Sequence, residues 1–68
     1  MTAYCVEYVL WYKQDNEWVS KTEHRYCFSL YSAQNLAETL RWNEDVVEDS
    51  VHIRLITEEE ARVVLPTM

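Results

Sequence analysis

Two stretches of strand-type sequence, residues 3–12 (AYCVEYVLWY) and residues 18–30, flank the turn-prone side chains Gln14-Asp15-Asn16-Glu17, and that spacing predicts a β-hairpin. The chain contains no glycine. Asp15 or Asn16 must therefore supply the left-handed loop residue, a conformation both types tolerate. In the second stretch Tyr26, Phe28 and Leu30 fall on even positions, the period-two pattern of a strand. A loop centred on Asn16 pairs Tyr4 with Phe28, Val6 with Tyr26, Tyr8 with His24 and Leu10 with Thr22, which gathers apolar side chains on one face. On the other face it sets Glu7 against Arg25, Trp11 against Lys21 and Cys5 against Cys27, an ion pair and a cation–π pair among them. A slip of one residue would mix these faces.

Beyond the hairpin, Ser32 is placed to cap a helix over residues 33–43, with Ala33, Leu36, Ala37 and Leu40 on its apolar face. Trp42 falls off that stripe, near Asn35, Glu38 and Val46. A connector over residues 44–49 leads to a third strand, where Val51, Ile53 and Leu55 alternate with His52 and Arg54. Thr57 and Glu60 have the spacing of a capping box, which predicts a short helix over residues 58–64, whereas Arg62-Val63-Val64-Leu65 would also suit a strand. Pro66 would end either. The expected fold is α+β: a single domain over residues 1–68, with a three-stranded antiparallel sheet and one helix packed on one face in the order β-β-α-β, then the short tail. That arrangement leaves the second sheet face uncovered, carrying Cys5, Val9, Trp11, Val19, Cys27 and Tyr31.

A formal charge of −6 would be repelled by a nucleic-acid backbone or an anionic membrane, so neither is expected as a direct partner. It suits a basic protein surface, such as the groove of a nucleic-acid-handling enzyme. The sequence has no apolar run of membrane-spanning length and no signal-peptide pattern, and it reads as cytoplasmic. Cys5 and Cys27 form no CxxC or zinc-ligand spacing and are expected as reduced thiols on the sheet. No metal or cofactor is expected: the carboxylate runs lack the calcium-loop arrangement, and no glycine-rich phosphate loop can form. Catalysis by a cysteine with a histidine base would need both on one face, and the even-numbered register puts His24 on the face opposite the cysteines. His24 then reads as a packing residue, His52 as an exposed strand residue, and the chain as a non-enzyme.

Nine aromatic residues exceed what one layer of this size can bury. Tyr4, Tyr8, Tyr26 and Phe28 fit between sheet and helix, and Trp18 near the loop, which leaves Trp11 and Trp42 to meet something else. Trp42 has acidic company in Glu38, Glu44, Asp45, Glu48 and Asp49, with Arg41 beside it. An acidic strip with an aromatic anchor complements a basic groove. These seven residues are the candidate partner-binding surface, and Trp11, Val9 and Tyr31 are the candidate homodimer face.

The runs YCVEYVLWYKQDNEW, SLYSAQNLAETLRWN and VHIRLI, about 50 residues together, resemble in layout the small phage proteins that disable host enzymes. The layout is similar to that of the acidic, dimeric uracil-DNA glycosylase inhibitors of Bacillus phages. That resemblance implies DNA mimicry, with two helices pairing across a dimer and the strands forming a larger sheet. It also implies that Glu38 matches the helix-borne glutamate of that family; the aromatic three positions later is replaced by Arg41, and the ring is displaced to Trp42. Anti-CRISPR proteins and the RNA polymerase inhibitor of a T7-type phage share the pattern, and with them the expectation of a host nucleic-acid-binding protein as partner.

Overall fold

A computed structural model describes residues 3–64. Strands β1 (Tyr4–Gln14) and β2 (Glu17–Cys27) are followed by helix α1 (Leu30–Arg41), a 3-10 turn at Glu48–Ser50, strand β3 (His52–Leu55) and helix α2 (Glu58–Val64). The sheet is antiparallel in the order β2-β1-β3, so the fold is α+β as expected. No helix among the described residues is long and apolar enough to cross a membrane.

The hairpin closes through a two-residue turn in which both Asp15 (φ 50°) and Asn16 (φ 66°) are left-handed. Positive φ at both positions matches the right-handed twist of the strands, and asparagine and aspartate accept it in place of glycine. An even number of loop residues forces an odd register. Tyr4 pairs with Cys27, Cys5 with Tyr26, Val6 with Arg25, Glu7 with His24 and Trp11 with Ser20. The expected even-to-even register is therefore wrong by one residue, and every β2 side chain changes face. Cys5 and Cys27 lie on opposite faces as free thiols. Tyr26, Phe28 and His24 are exposed rather than packed beneath the helix. Lys21 lies over the Tyr12 ring at 5.0 Å instead of Trp11, and it pairs with Glu23.

Even-numbered β1 residues face α1. The core comprises Val6, Tyr8, Ala33, Ala37, Leu40, Val46 and Val51, bordered by Tyr4, Leu10, Cys27, Leu36 and Ile53. Fully buried Ala33 and Ala37 let the helix backbone approach the sheet closely. The helix begins earlier than expected, because Ser29 is the N-cap: its Oγ accepts the Ser32 N–H at 3.1 Å. Ser32 sits inside the first turn, and its hydroxyl accepts from that of Ser29. The helix also ends sooner, with Trp42 as C-cap donating its N–H toward the Thr39 and Leu40 carbonyls.

The connector after α1 takes over where β3 stops. The Trp11 N–H donates to the Asp45 carbonyl, Val47 donates to the Val9 carbonyl, and the Val9 N–H donates to Ser50 Oγ. These bonds satisfy a stretch of β1 edge that would otherwise be unpaired. The tail, whose state the sequence left open, is helical, with the capping box formed both ways: Glu60 N–H to Thr57 Oγ1 at 3.1 Å and Thr57 N–H to Glu60 Oε1 at 3.0 Å. The expected stop at Pro66 lies outside the described residues. Helix α2 approaches the sheet face away from α1, so that face is partly occupied rather than bare.

Candidate functional site

Two surfaces bring chemistry-bearing residues together, one on the outer flank of α1 and one on the second face of the sheet. On the flank, residues 34, 38, 41 and 42 recur at helical i, i+3 and i+4 spacing. With Glu48 from the 3-10 turn they line an open groove of about 470 Å³: Gln34, Glu38, Arg41, Trp42 and Glu48. Trp42 is 82 % exposed at the C-terminal end of the helix. Four of the seven expected partner-binding residues thus share one concavity. Glu44, Asp45 and Asp49 are exposed on the connector beside it, held by the Asp45 N–H to Asn43 Oδ1 at 2.8 Å and by the connector's bonds to β1. Among the described residues, Arg41 forms no ion pair with Glu38 or Glu48, so all three charges stay available to a partner. Gln34 is the groove residue that sequence reasoning missed, although its place four residues before Glu38 would have found it.

The expected dimer face is only partly assembled. Val9 and Trp11 share the sheet face away from α1, and the odd register brings Trp18 onto it, diagonal to Trp11. Tyr31 does not join them, since it lies exposed in the first turn of α1, on the other layer. Val19 and Cys27, also expected on this face, are turned toward the α1 side by the same shift.

At the other end of that face, Cys5 and Glu7 of β1 stand beside Tyr26 and His24 of β2 and Arg54 and His52 of β3. The Arg54 guanidinium donates to Glu7 Oε1 and, bidentately, to Glu60 of α2 at 2.6 and 3.0 Å. The Tyr26 hydroxyl also donates to Glu60, at 2.9 Å. Hydrogen bonds from Arg54, then from the Thr57 N–H, hold the Glu60 carboxyl well below the usual carboxylate range, and Arg54 is pushed up chiefly by Glu60 and Glu7. Burial pushes the Cys5 thiol up, with Arg54 acting the other way. Glu7 Oε1 lies 3.9 Å from His24 Nε2, and ligand atoms of Cys5, Glu7 and His24 all fall within 4.8 Å of one another. The even register had kept Cys5 and His24 apart. The two-residue Asp15-Asn16 turn was the signal that joins them.

No protein-family model, no curated protein and no solved structure matches the chain.

Proposed function

We propose that the protein is a non-enzymatic inhibitor that acts in the host cytoplasm by occupying the basic nucleic-acid groove of a phage host's protein. The carrying observation is the groove itself, in which a tryptophan that is mostly exposed shares one concavity with Glu38 of α1 and Glu48 of the 3-10 turn. A ring this exposed gains its burial energy only when a partner covers it, and carboxylates around it favour a basic partner. Glu38 and Glu48 stand in for phosphate charge, with Trp42 as the anchor. Uracil-DNA glycosylase is the first target to try; a Cas protein or RNA polymerase would place the chain beside the other phage inhibitors of this layout. The deciding experiment is capture from a bacterial lysate with wild type and with Glu38→Lys/Trp42→Ala. Loss of one nucleic-acid-handling protein in the double variant supports the reading. Equal capture by both rules out this face.

A second reading, a structural or regulatory homodimer, draws on the distal hairpin. Trp11 and Trp18 lie diagonally on one exposed face with Val9, and Trp18 is 62 % exposed. Among the described residues no strand pairs with the outer edge of β2. Sedimentation at micromolar concentration distinguishes the two: a dimer abolished by Trp11→Ser/Trp18→Ser, in a protein that captures nothing, favours this reading.

A further inference from the structure

We propose that Cys5, Glu7 and His24 form a zinc-binding site on the sheet face opposite α1. Cys5 and Glu7 are two residues apart on one strand and His24 is the cross-strand partner of Glu7, so all three are carried by sheet backbone rather than by a loop. Their ligand atoms already lie within 4.8 Å of one another. Tetrahedral zinc, with bonds of about 2.0–2.3 Å, separates its ligands by roughly 3.3–3.5 Å, so closure needs little more than about 1 Å of side-chain adjustment. Thiolate, imidazole and carboxylate are the donor types zinc accepts, and a thiolate in the set disfavours magnesium and calcium.

The surroundings fit a dication. Glu7 and Glu60 around Arg54 leave a net charge of −1 before the thiol is engaged. Arg54 engages Glu7 through Oε1, and Oε2 accepts no hydrogen bond among the described residues, so the carboxylate can keep its guanidinium and still offer an oxygen to the metal. Such a partner orients a ligating carboxylate. The imidazole and carboxylate form the rim, with side chains 42 % and 31 % exposed, while Cys5 is the buried floor. Three protein ligands leave a fourth position open on the rim. His52, exposed and opposite Glu7 on β3, flanks that side.

Cobalt(II) is the probe, because tetrahedral coordination and a thiolate ligand each have an absorption signature. Titration of the whole chain should reach one equivalent, with a thiolate-to-cobalt band that zinc bleaches and an affinity that rises with pH as the metal displaces the thiol proton. Cys27→Ser should keep the band and Cys5→Ser should lose it. His24→Ala alters an exposed side chain, so the fold is expected to persist, checked by circular dichroism. It should weaken binding by roughly a hundredfold, at or above the effect of losing an outer-shell partner. The proposal is overturned by any one of three results: no thiolate band at excess cobalt, a band lost in Cys27→Ser, or His24→Ala binding as tightly as wild type. Should Cys5→Ser fail to fold, His24→Ala decides alone.

Discussion

Arg54 joins three elements with one side chain: it sits on β3, reaches Glu7 on β1 and grips Glu60 on α2. Its flat, forked guanidinium meets a carboxylate with two parallel bonds, which a lysine cannot reproduce. The pairs are partly exposed, so their main consequence is positional: they hold Glu60 near Cys5, whose thiol is fully buried. In a Cys27→Ser background, Arg54→Ala is expected to speed the reaction of Cys5 with a thiol reagent at least severalfold, and Arg54→Lys to give an intermediate rate. Unchanged rates in both would mean that α2 does not shield the thiol. Glu60 also sets a pH dependence. Its folded-state pKa is depressed below an ordinary value near 4.5, so its contribution is complete above that value and is lost as pH falls through the lower, folded one. Amide protection in residues 58–64, taken relative to the intrinsic exchange rate at each pH, should stay flat from neutral pH down to that ordinary value and fall only below it, and Glu60→Gln should remove the acid-dependent limb. The capping role of Glu60 was legible from Thr57-Glu58-Glu59-Glu60, but its grip on Arg54 and Tyr26 was not, because that depends on which β2 residues share a face with Cys5.

At the scale of elements, the hairpin register is decided by the turn and not by the strands. The odd positions of β2 hold Glu17, Val19, Lys21, Glu23, Arg25 and Cys27, the even ones Trp18, Ser20, Thr22, His24 and Tyr26. Neither set is an apolar face, so hydrophobic alternation cannot distinguish the two registers, and counting apolar residues favours the wrong one by way of Tyr26 and Phe28. Strand β1 reads clearly because both its faces are partly covered; its element type and the order of all the others followed from pattern alone. If Asn16 at φ 66° fixes the register, Asn16→Ala should cost about 1 kcal/mol, the penalty of a left-handed residue with an ordinary Cβ, whereas Asn16→Gly should cost nothing. Urea unfolding with a constant slope measures both. The helix start allows a similar contrast. Ser29→Ala removes the acceptor for the Ser32 N–H and should cost about 1 kcal/mol, while Ser32→Ala removes only a solvent-exposed hydroxyl contact and should cost less. Equal losses would return the cap to Ser32.

For the whole molecule, the described residues extend 41 × 23 × 17 Å, an elongated body in which the hairpin face that carries Trp11 and Trp18 is turned away from the α1 side, where the groove lies. The three tryptophans divide between these regions, with Trp42 at the groove and Trp11 and Trp18 on the hairpin. The surplus of rings was legible from composition, and so was Trp42 as an outlier from its helix stripe. The division itself was not, since the one-residue register shift moved Trp18 onto the face of Trp11. This separation makes the proposed surface testable without knowing the partner. In a Trp11→Phe/Trp18→Phe protein, fluorescence reports Trp42 alone, and its high exposure predicts a red-shifted emission that is readily quenched by a soluble quencher. A basic partner seated in the groove would desolvate the ring, so binding should shift the emission to the blue and protect it from quenching. Carboxylates of an exposed strip act through a screened field with a range of about 10 Å at 0.1 M salt, and raising salt from about 50 to about 500 mM should weaken the complex steeply. Glu38→Gln and Glu48→Gln remove charge while keeping shape, so each should flatten that salt dependence and leave the blue shift at saturation intact. A complex indifferent to salt, or one that leaves Trp42 as quenchable as before, would place the contact elsewhere, with the Trp11 and Trp18 face of the hairpin next in line.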